Sequence, residues 1–193
     1  KRLRFQTYIK DYLATIKSVD DNIGRVLKYL EDSNLEDNTI IIYASDQGFF
    51  IGEHGWFDKR FMYEESIRMP FLIKYPGVIK PKSVNKDIIT NIDFAPTILE
   101  MAGVETPTSV QGKSFFQNLK RKKNKDWRQS MYYHYYEYPF YHRVQPHYGI
   151  RNERYKLIHF YYDIDVWELY DLKNDPNELN NIISSNGHEN LIR

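Results

Sequence analysis

Between Ser45 and Arg60 the chain reads SDQGFFIGEHGWFDKR, which sets Asp46, Glu53, Asp58, His54, Lys59 and Arg60 among three glycines and large aromatics. Asp46 offers a charged oxygen and Gln47 beside it a neutral carbonyl oxygen. Such a pair suits a hard cation, Ca2+ or Mg2+, and not a thiophilic one. Gly48 frees the backbone to turn, so that two adjacent side chains can aim at one ion. Lys59, twelve residues beyond Gln47, can return as a point charge on an anionic group held at the same place. His54 can donate a hydrogen bond or anchor the loop. From spacing alone, an Asx turn that merely ends a strand accounts for Asp46-Gln47 equally well, and a surface lysine accounts for Lys59. The pair is also short of a full shell, since Ca2+ takes about six to eight oxygens.

These residues need elements that place them. Ile9, Tyr12, Leu13, Ile16, Val19, Ile23, Val26, Leu27 and Leu30 recur at three- and four-residue steps, which predicts an amphipathic helix. After a polar break, Thr39 to Ala44 (TIIIYA) predicts a strand buried on both faces. Asp46 and Gln47 follow its carboxyl end, where α/β sheets bind ligands. Met69–Tyr75 and Ile88–Asn91 read as further strands, and Asp93–Gly103 as a helix with an acidic N-cap and a glycine stop. Beyond the basic run Leu119–Lys125, read as a solvated linker, the pattern changes. Met131–Tyr138, a hairpin of Tyr148–Arg151 with Tyr155–Phe160, and Trp167–Tyr170 predict a small antiparallel sheet. A turn at Asn174-Asp175-Pro176 leads into a last helical piece, and Ser184–Arg193 reads as a polar tail. The expected division is an α/β part over 1–125 and an antiparallel subdomain over 126–193.

With 27 basic against 26 acidic residues the net charge is +1, which argues against a nucleic-acid stripe. No cysteine is present, so disulfides, thiolate metal sites and a Cys nucleophile within the chain are excluded. No run approaches the ~20 apolar residues of a membrane span. The opening KRLRFQTYIKDY lacks an apolar leader and a small-residue cleavage site, and its entry into a helix without preamble predicts residues upstream.

The segment SDQGFFIGEHGWFDKRFMYEESIRMPFLIKYPG resembles the metal-and-lysine segment of the type I sulfatases, within the alkaline-phosphatase-like superfamily. The likeness continues on both sides. SVDDNIGRVLKYLEDSNLEDNTIIIYASD is similar to the helix and strand before that segment, and DIITNIDFAPTILEMAGVETPTSVQGKS to the stretch after it. YGIRNERYKLIHFY and WELYDLKNDPNELNNI are similar to the closing C-terminal subdomain.

The resemblance implies an α/β fold: part of an alkaline-phosphatase-like sandwich, a mostly parallel sheet with flanking helices, plus a small C-terminal antiparallel sheet. It implies sulfate-ester hydrolysis with Ca2+, or alternatively Mg2+, held partly by Asp46 and Gln47. In Gln47's slot the family more often has Asn or His. Lys59 matches the lysine that contacts the sulfate, while His54 and Asp58 match supporting positions that orient the loop. The family's Cys- or Ser-x-Pro-x-Arg motif, whose first residue becomes the nucleophilic formylglycine, does not occur here. Nor do its first Asp-Asp metal pair and its N-terminal catalytic His and Lys; Asp20-Asp21 lies in the helix and matches another position. By itself the chain is therefore expected to be inactive and to need the N-terminal part of the same protein as its partner. The substrate class implied is a sulfated carbohydrate, with N-acetylglucosamine-6-sulfatases the nearest branch, and His142, His147 and Arg151 the candidate substrate contacts. The family places the protein in the periplasm or outside the cell. A phosphodiesterase or phosphatase of the superfamily, and a non-catalytic carbohydrate-binding relative, remain as alternatives.

Overall fold

The computed structural model describes residues 2–120 and 124–185. They form two compact units, one running to Tyr43 and taking in Phe71–Pro81, the other holding Ala44–Pro70 and the chain from Lys82 onward.

In the first unit, α1 (Arg2–Asp32) is longer than the apolar repeat demanded at both ends, and none of its residues is buried. Asn34, at φ 55°, turns the chain out of the helix, and Leu35 N–H closes it on the Leu30 carbonyl at 2.9 Å. A 3-10 turn at Glu36–Asn38 follows, and Glu36 pairs with Lys74. The strands β1 (Ile41–Ala44) and β4 (Phe71–Lys74) neighbour one another in a two-stranded sheet. The expectation that β1 is buried on both faces fails, because Ile42, Tyr43 and Ala44 are exposed. Its β-branched composition suits the interior of a sheet, but the described chain supplies one neighbouring strand and no layer over the faces.

The second unit centres on a four-stranded antiparallel sheet in the order β5 (Ser130–Tyr135), β6 (His147–Asn152), β7 (Tyr155–Phe160), β8 (Val166–Asp171). Against it lies the segment 50–67, with the hairpin β2 (Phe50–Ile51) and β3 (Phe57–Asp58) and the single turn α2 (Glu64–Ile67). The core joins Phe50, Met62 and Tyr63 from this segment to Ile158, Phe160 and Tyr170 from the sheet. Gly149 lets them approach: a Cβ there would stand 2.5 Å from the Met62 Sδ and 2.4 Å from the Leu157 carbonyl. Residues 44–70 and 82–120 therefore group with the antiparallel sheet, and the expected boundary at 125 does not separate compact units. Contacts so remote in sequence leave no mark in local composition.

Three further readings change. Ile88–Thr90 joins no sheet and Asn91 opens a 3-10 turn (Asn91–Asp93); the Ile88 carbonyl accepts from Trp127 Nε1 at 2.8 Å, and Thr90 and Asp93 form a capping box. Asp93 is fully buried ahead of α3 (Phe94–Met101), where both Arg128 nitrogens meet its carboxylate. Burial pushes the Asp93 carboxyl up, but the Arg128 hydrogen bonds and the amides of Lys113 and Thr90 outweigh it and hold it below the usual range. The short helix α4 (Phe116–Leu119) went unread, and Lys120 places its ammonium 3.7 Å from the Phe116 ring centre. Arg121–Lys123 of the linker lie outside the described residues.

The described part of the final segment is not helical. Asn181 instead substitutes for a strand partner at the β8 edge: its Oδ1 accepts from Leu169 N–H at 3.0 Å and its Nδ2 donates to the Trp167 carbonyl at 3.0 Å. Residues 186–193, most of the expected polar tail, lie outside the described residues.

Charge is also buried under the sheet. Lys156 is 0% exposed and its Nζ lies 2.7 Å from Glu178 and 3.0 Å from Glu64, while Arg151 reaches Glu64 at 3.1 Å through Nε and Nη2. Nearer the surface, the Arg154 guanidinium beside Asp171, with the Lys173 amide and Asn174, holds that carboxyl down to about 2 against an ordinary 3.8. A depressed carboxylate stabilises the fold above its unfolded pKa. Urea midpoints are therefore expected to fall as pH drops from about 4 towards about 2. Asp171→Asn should flatten that slope; an unchanged slope would remove the pair from acid stability.

Candidate functional site

Asp46 and Gln47 lie in the loop after β1, His54 within the β2–β3 hairpin and Lys59 directly after β3, and with His142, His147 and Arg151 they all belong to the second unit. Ser45 fixes the loop's start: its Oγ donates to the Gln47 carbonyl at 2.8 Å and lies 3.5 Å from Asp46 Oδ1. Gly48 donates its N–H to the Ser66 carbonyl at 2.8 Å, and a Cβ added there would stand 1.9 Å from the Glu65 carbonyl. No other residue fits so close to the α2 backbone, so the loop is pinned directly after Gln47.

Asp46 is left exposed, and among the described residues no cation pairs with it. Its free carboxylate and the Gln47 amide form an oxygen donor set that fits a hard divalent cation. Among the described residues no three His, Asp or Glu side chains gather into a metal cluster. An ion held by this pair would draw its remaining ligands from elsewhere.

Lys59 lies between two residues of left-handed backbone, Asp58 at φ 88° and Arg60 at φ 115°. Neither is glycine, so each stores strain that the surroundings must impose. The imposing contacts are visible. The Arg60 amide donates to Ser66 Oγ at 3.1 Å, its carbonyl accepts from Tyr133 Oη at 2.7 Å, and its Nη1 meets Asp58 Oδ2 at 2.7 Å. Lys59 itself is half-buried and has no ion-pair partner among the described residues. A strained turn that presents an uncommitted ammonium is an arrangement suited to receiving an anion.

The other four candidates lie in four different settings. His54, at φ 53°, stacks on Tyr63 with ring centres 4.5 Å apart and meets Phe50 edge-on, with its Nε2 3.5 Å from Glu65 Oε2. Those are the contacts of a loop anchor. His142 comes to the Lys59 turn from 82 positions away in sequence, its Nε2 2.6 Å from Arg60 Nη2 and its Nδ1 3.9 Å from Asp58. His147 is 0% exposed, with Nδ1 2.9 Å from the Gln145 carbonyl and its ring among Phe61, Tyr133, Tyr135 and Phe160. Burial lowers its pKa and keeps it neutral, and no solute reaches it; the expected substrate contact gives way to a packing role. Arg151 is likewise committed, spending two nitrogens on Glu64. Sequence reasoning counted Arg60 among the charged residues of the segment but gave it no role, although the run Asp58-Lys59-Arg60 is a local hint of paired charge.

The family model described as N-sulphoglucosamine sulphohydrolase, C-terminal, matches residues 52–193. N-acetylglucosamine-6-O-sulfatase of Bacteroides thetaiotaomicron is 60% identical over 181 residues, covering 93% of this chain and 32% of that protein. N-acetylglucosamine-6-sulfatase of Bos taurus is 41% identical over 116 residues, 59% of this chain and 20% of that protein. Among solved structures, BT4656 in complex with its substrate D-glucosamine-2-N,6-O-disulfate superposes with a TM-score of 0.93 at 57% identity, over 97% of this chain and 38% of that one. The matched stretch thus spans between about a fifth and two fifths of the length of these relatives. With its α/β make-up, its Lys59 turn and its closing antiparallel sheet all inside that likeness, the chain belongs to the N-sulphoglucosamine sulphohydrolase C-terminal family.

Proposed function

We propose that this chain is the C-terminal part of a sulfuric ester hydrolase that removes sulfate from a sulfated carbohydrate, a 6-sulfated glucosamine in particular. Its role there is to hold the anion and part of the metal. The carrying observation is the strained Asp58-Lys59-Arg60 turn, which holds an ammonium with no ion-pair partner among the described residues, in a family of sulfate-releasing relatives. Lys59 binds a sulfate oxygen and offsets the charge that grows on the transferring group or the leaving oxygen. Asp46 and Gln47 contribute two oxygens towards a Ca2+ ion, or Mg2+ in its place, which when bound polarises the sulfate and favours a deprotonated nucleophile. His54 keeps the loop in register, and His142 lies where a substrate hydroxyl or sulfate oxygen can meet it. The nucleophile and the remaining ligands belong to the rest of the protein, as does the formylglycine that the family's chemistry calls for. We place the reaction in the periplasm or outside the cell; no helix among the described residues is long and apolar enough to cross a membrane.

The test is side-by-side assay of the full-length protein on N-acetylglucosamine 6-sulfate and 6-phosphate, before and after chelation. Sulfate release is expected to dominate, to stop on chelation and to return with Ca2+. Asp46→Asn should require about tenfold more Ca2+ or worse, since it deletes a ligand charge. Preferred phosphate release points instead to the phosphatase branch, and release unaffected by chelation removes the metal from the reading.

A further inference from the structure

The single turn α2 meets both halves of the site through one buried residue, Ser66. The Ser66 carbonyl accepts from the Gly48 amide at 2.8 Å, and Gly48 directly follows the Asp46-Gln47 pair. The Ser66 Oγ accepts from the Arg60 amide at 3.1 Å, and Arg60 directly follows Lys59. One serine thus ties the loop after β1 and the turn after β3 to the same point. The two ties differ in kind. The Gly48 tie is backbone to backbone and outlasts a change of side chain at position 66, whereas the Arg60 tie depends on the hydroxyl alone. With Arg60 at φ 115°, the turn has strain to release once its amide is let go.

The serine works from a base that does not depend on either loop. Glu64, the first residue of α2, donates its amide to Glu178 Oε2 at 2.7 Å. Its carboxylate meets Arg151 at 3.1 Å and Lys156 at 3.0 Å, both on the antiparallel sheet. Tyr63, just ahead of α2, lies in the core and donates its Oη to Glu168 at 2.8 Å.

We infer that Ser66 is a positioning residue that sets the spacing between the Asp46-Gln47 pair and Lys59, its hydroxyl keeping the Lys59 turn in its strained form. The inference rests on the proposed reading for one point, that Lys59 receives the sulfate. An anion gripped from two sides tolerates little error in the distance between the grips. Ser66 governs that distance without touching sulfate or metal.

The test is Ser66→Ala in the full-length protein, alone and combined with Lys59→Ala. On a 6-sulfated glucosamine the single change is expected to lower kcat/KM by ~10–100-fold, the scale of an ångström of misplacement. Because the carbonyl tie to Gly48 remains, the Ca2+ requirement should stay at its wild-type value. In the Lys59→Ala background the same change should cost no more than about threefold, since its effect passes through Lys59. Deuterium uptake should rise over residues 58–61 and stay unchanged over 47–49. Ser66→Cys fills the same space with a weaker acceptor, and takes the place of Ser66→Ala in every comparison if the alanine variant does not fold. Wild-type turnover, an equal loss with and without Lys59, or uptake that rises alike in both segments overturns the inference. A full-length protein that releases no sulfate overturns the proposed function instead, and the uptake pattern still decides whether the Ser66 hydroxyl holds the turn.

Discussion

Lys59→Ala in the full-length protein is expected to reduce kcat/KM for a 6-sulfated glucosamine by ~10²–10³-fold, the cost of one preorganised charge donor at a reacting oxyanion. The fold should survive, because Lys59 makes no ion pair among the described residues and the turn's strain is borne by Asp58 and Arg60. Melting temperature should therefore stay within a few degrees while turnover collapses. Lys59→Arg is a sharper probe: it keeps the charge but replaces a compact ammonium with a planar fork, so only partial recovery is expected. Wild-type turnover in Lys59→Ala would remove the lysine from the mechanism, and a large drop in melting temperature would make it a structural residue.

The second large effect concerns stability. Lys156→Met removes the cation that faces both Glu178 and Glu64 beneath the sheet. Glu64 retains Arg151, but Glu178, 2% exposed, keeps only the Glu64 amide at 2.7 Å. Leaving a buried charge unpaired costs ~3–5 kcal/mol. Burial already pushes the Glu178 carboxyl up in the intact protein, with Lys156 opposing it, so loss of Lys156 drives it higher. A carboxyl whose folded pKa lies above its unfolded value contributes stability at low pH and loses it as pH rises through the folded pKa. The variant's deficit, read from urea midpoints, is therefore expected to grow from pH 5 to pH 8. Adding Glu178→Gln should recover part of it and flatten the pH dependence. A deficit that does not change with pH would mean that Glu178 is not the group left exposed to the loss.

What the sequence disclosed depended on the range of the interaction. The α1 repeat, the β-branched run of β1 and the hairpin of β6 with β7 are local patterns, and each produced its element. Lys59 was legible by type and by its distance from Asp46-Gln47. The left-handed flanks that hold it were not, because neither Asp58 nor Arg60 is glycine, and an Asp adopts a positive φ only in a minority of places. His142 and His147 look alike in the string HRVQPHYG, yet one reaches the Lys59 turn and the other fills the core. Their places in the chain's fold separate them: His142 lies in the connection between β5 and β6, whereas His147 opens β6 opposite Tyr135, with its ring among aromatics. The same holds for Glu178 and Lys156: a surface-looking acid after a turn and a lysine in a strand become a buried pair only once the closing segment returns beneath the sheet. Gly48 is intermediate, legible as a point of freedom but not as a point of contact with α2.

The central claim is that Asp46, Gln47 and Lys59 form one side of a sulfate-holding metal site. It is tested most directly by a crystal structure of the full-length protein with Ca2+ and a 6-sulfated glucosamine, using a slow variant outside this chain to keep the ester intact. The account predicts a cation within about 2.3–2.6 Å of Asp46 and Gln47 oxygens and a sulfate oxygen within hydrogen-bond reach of the Lys59 ammonium. A sulfate bound elsewhere, with Asp46 and Lys59 both left in solvent, would contradict it.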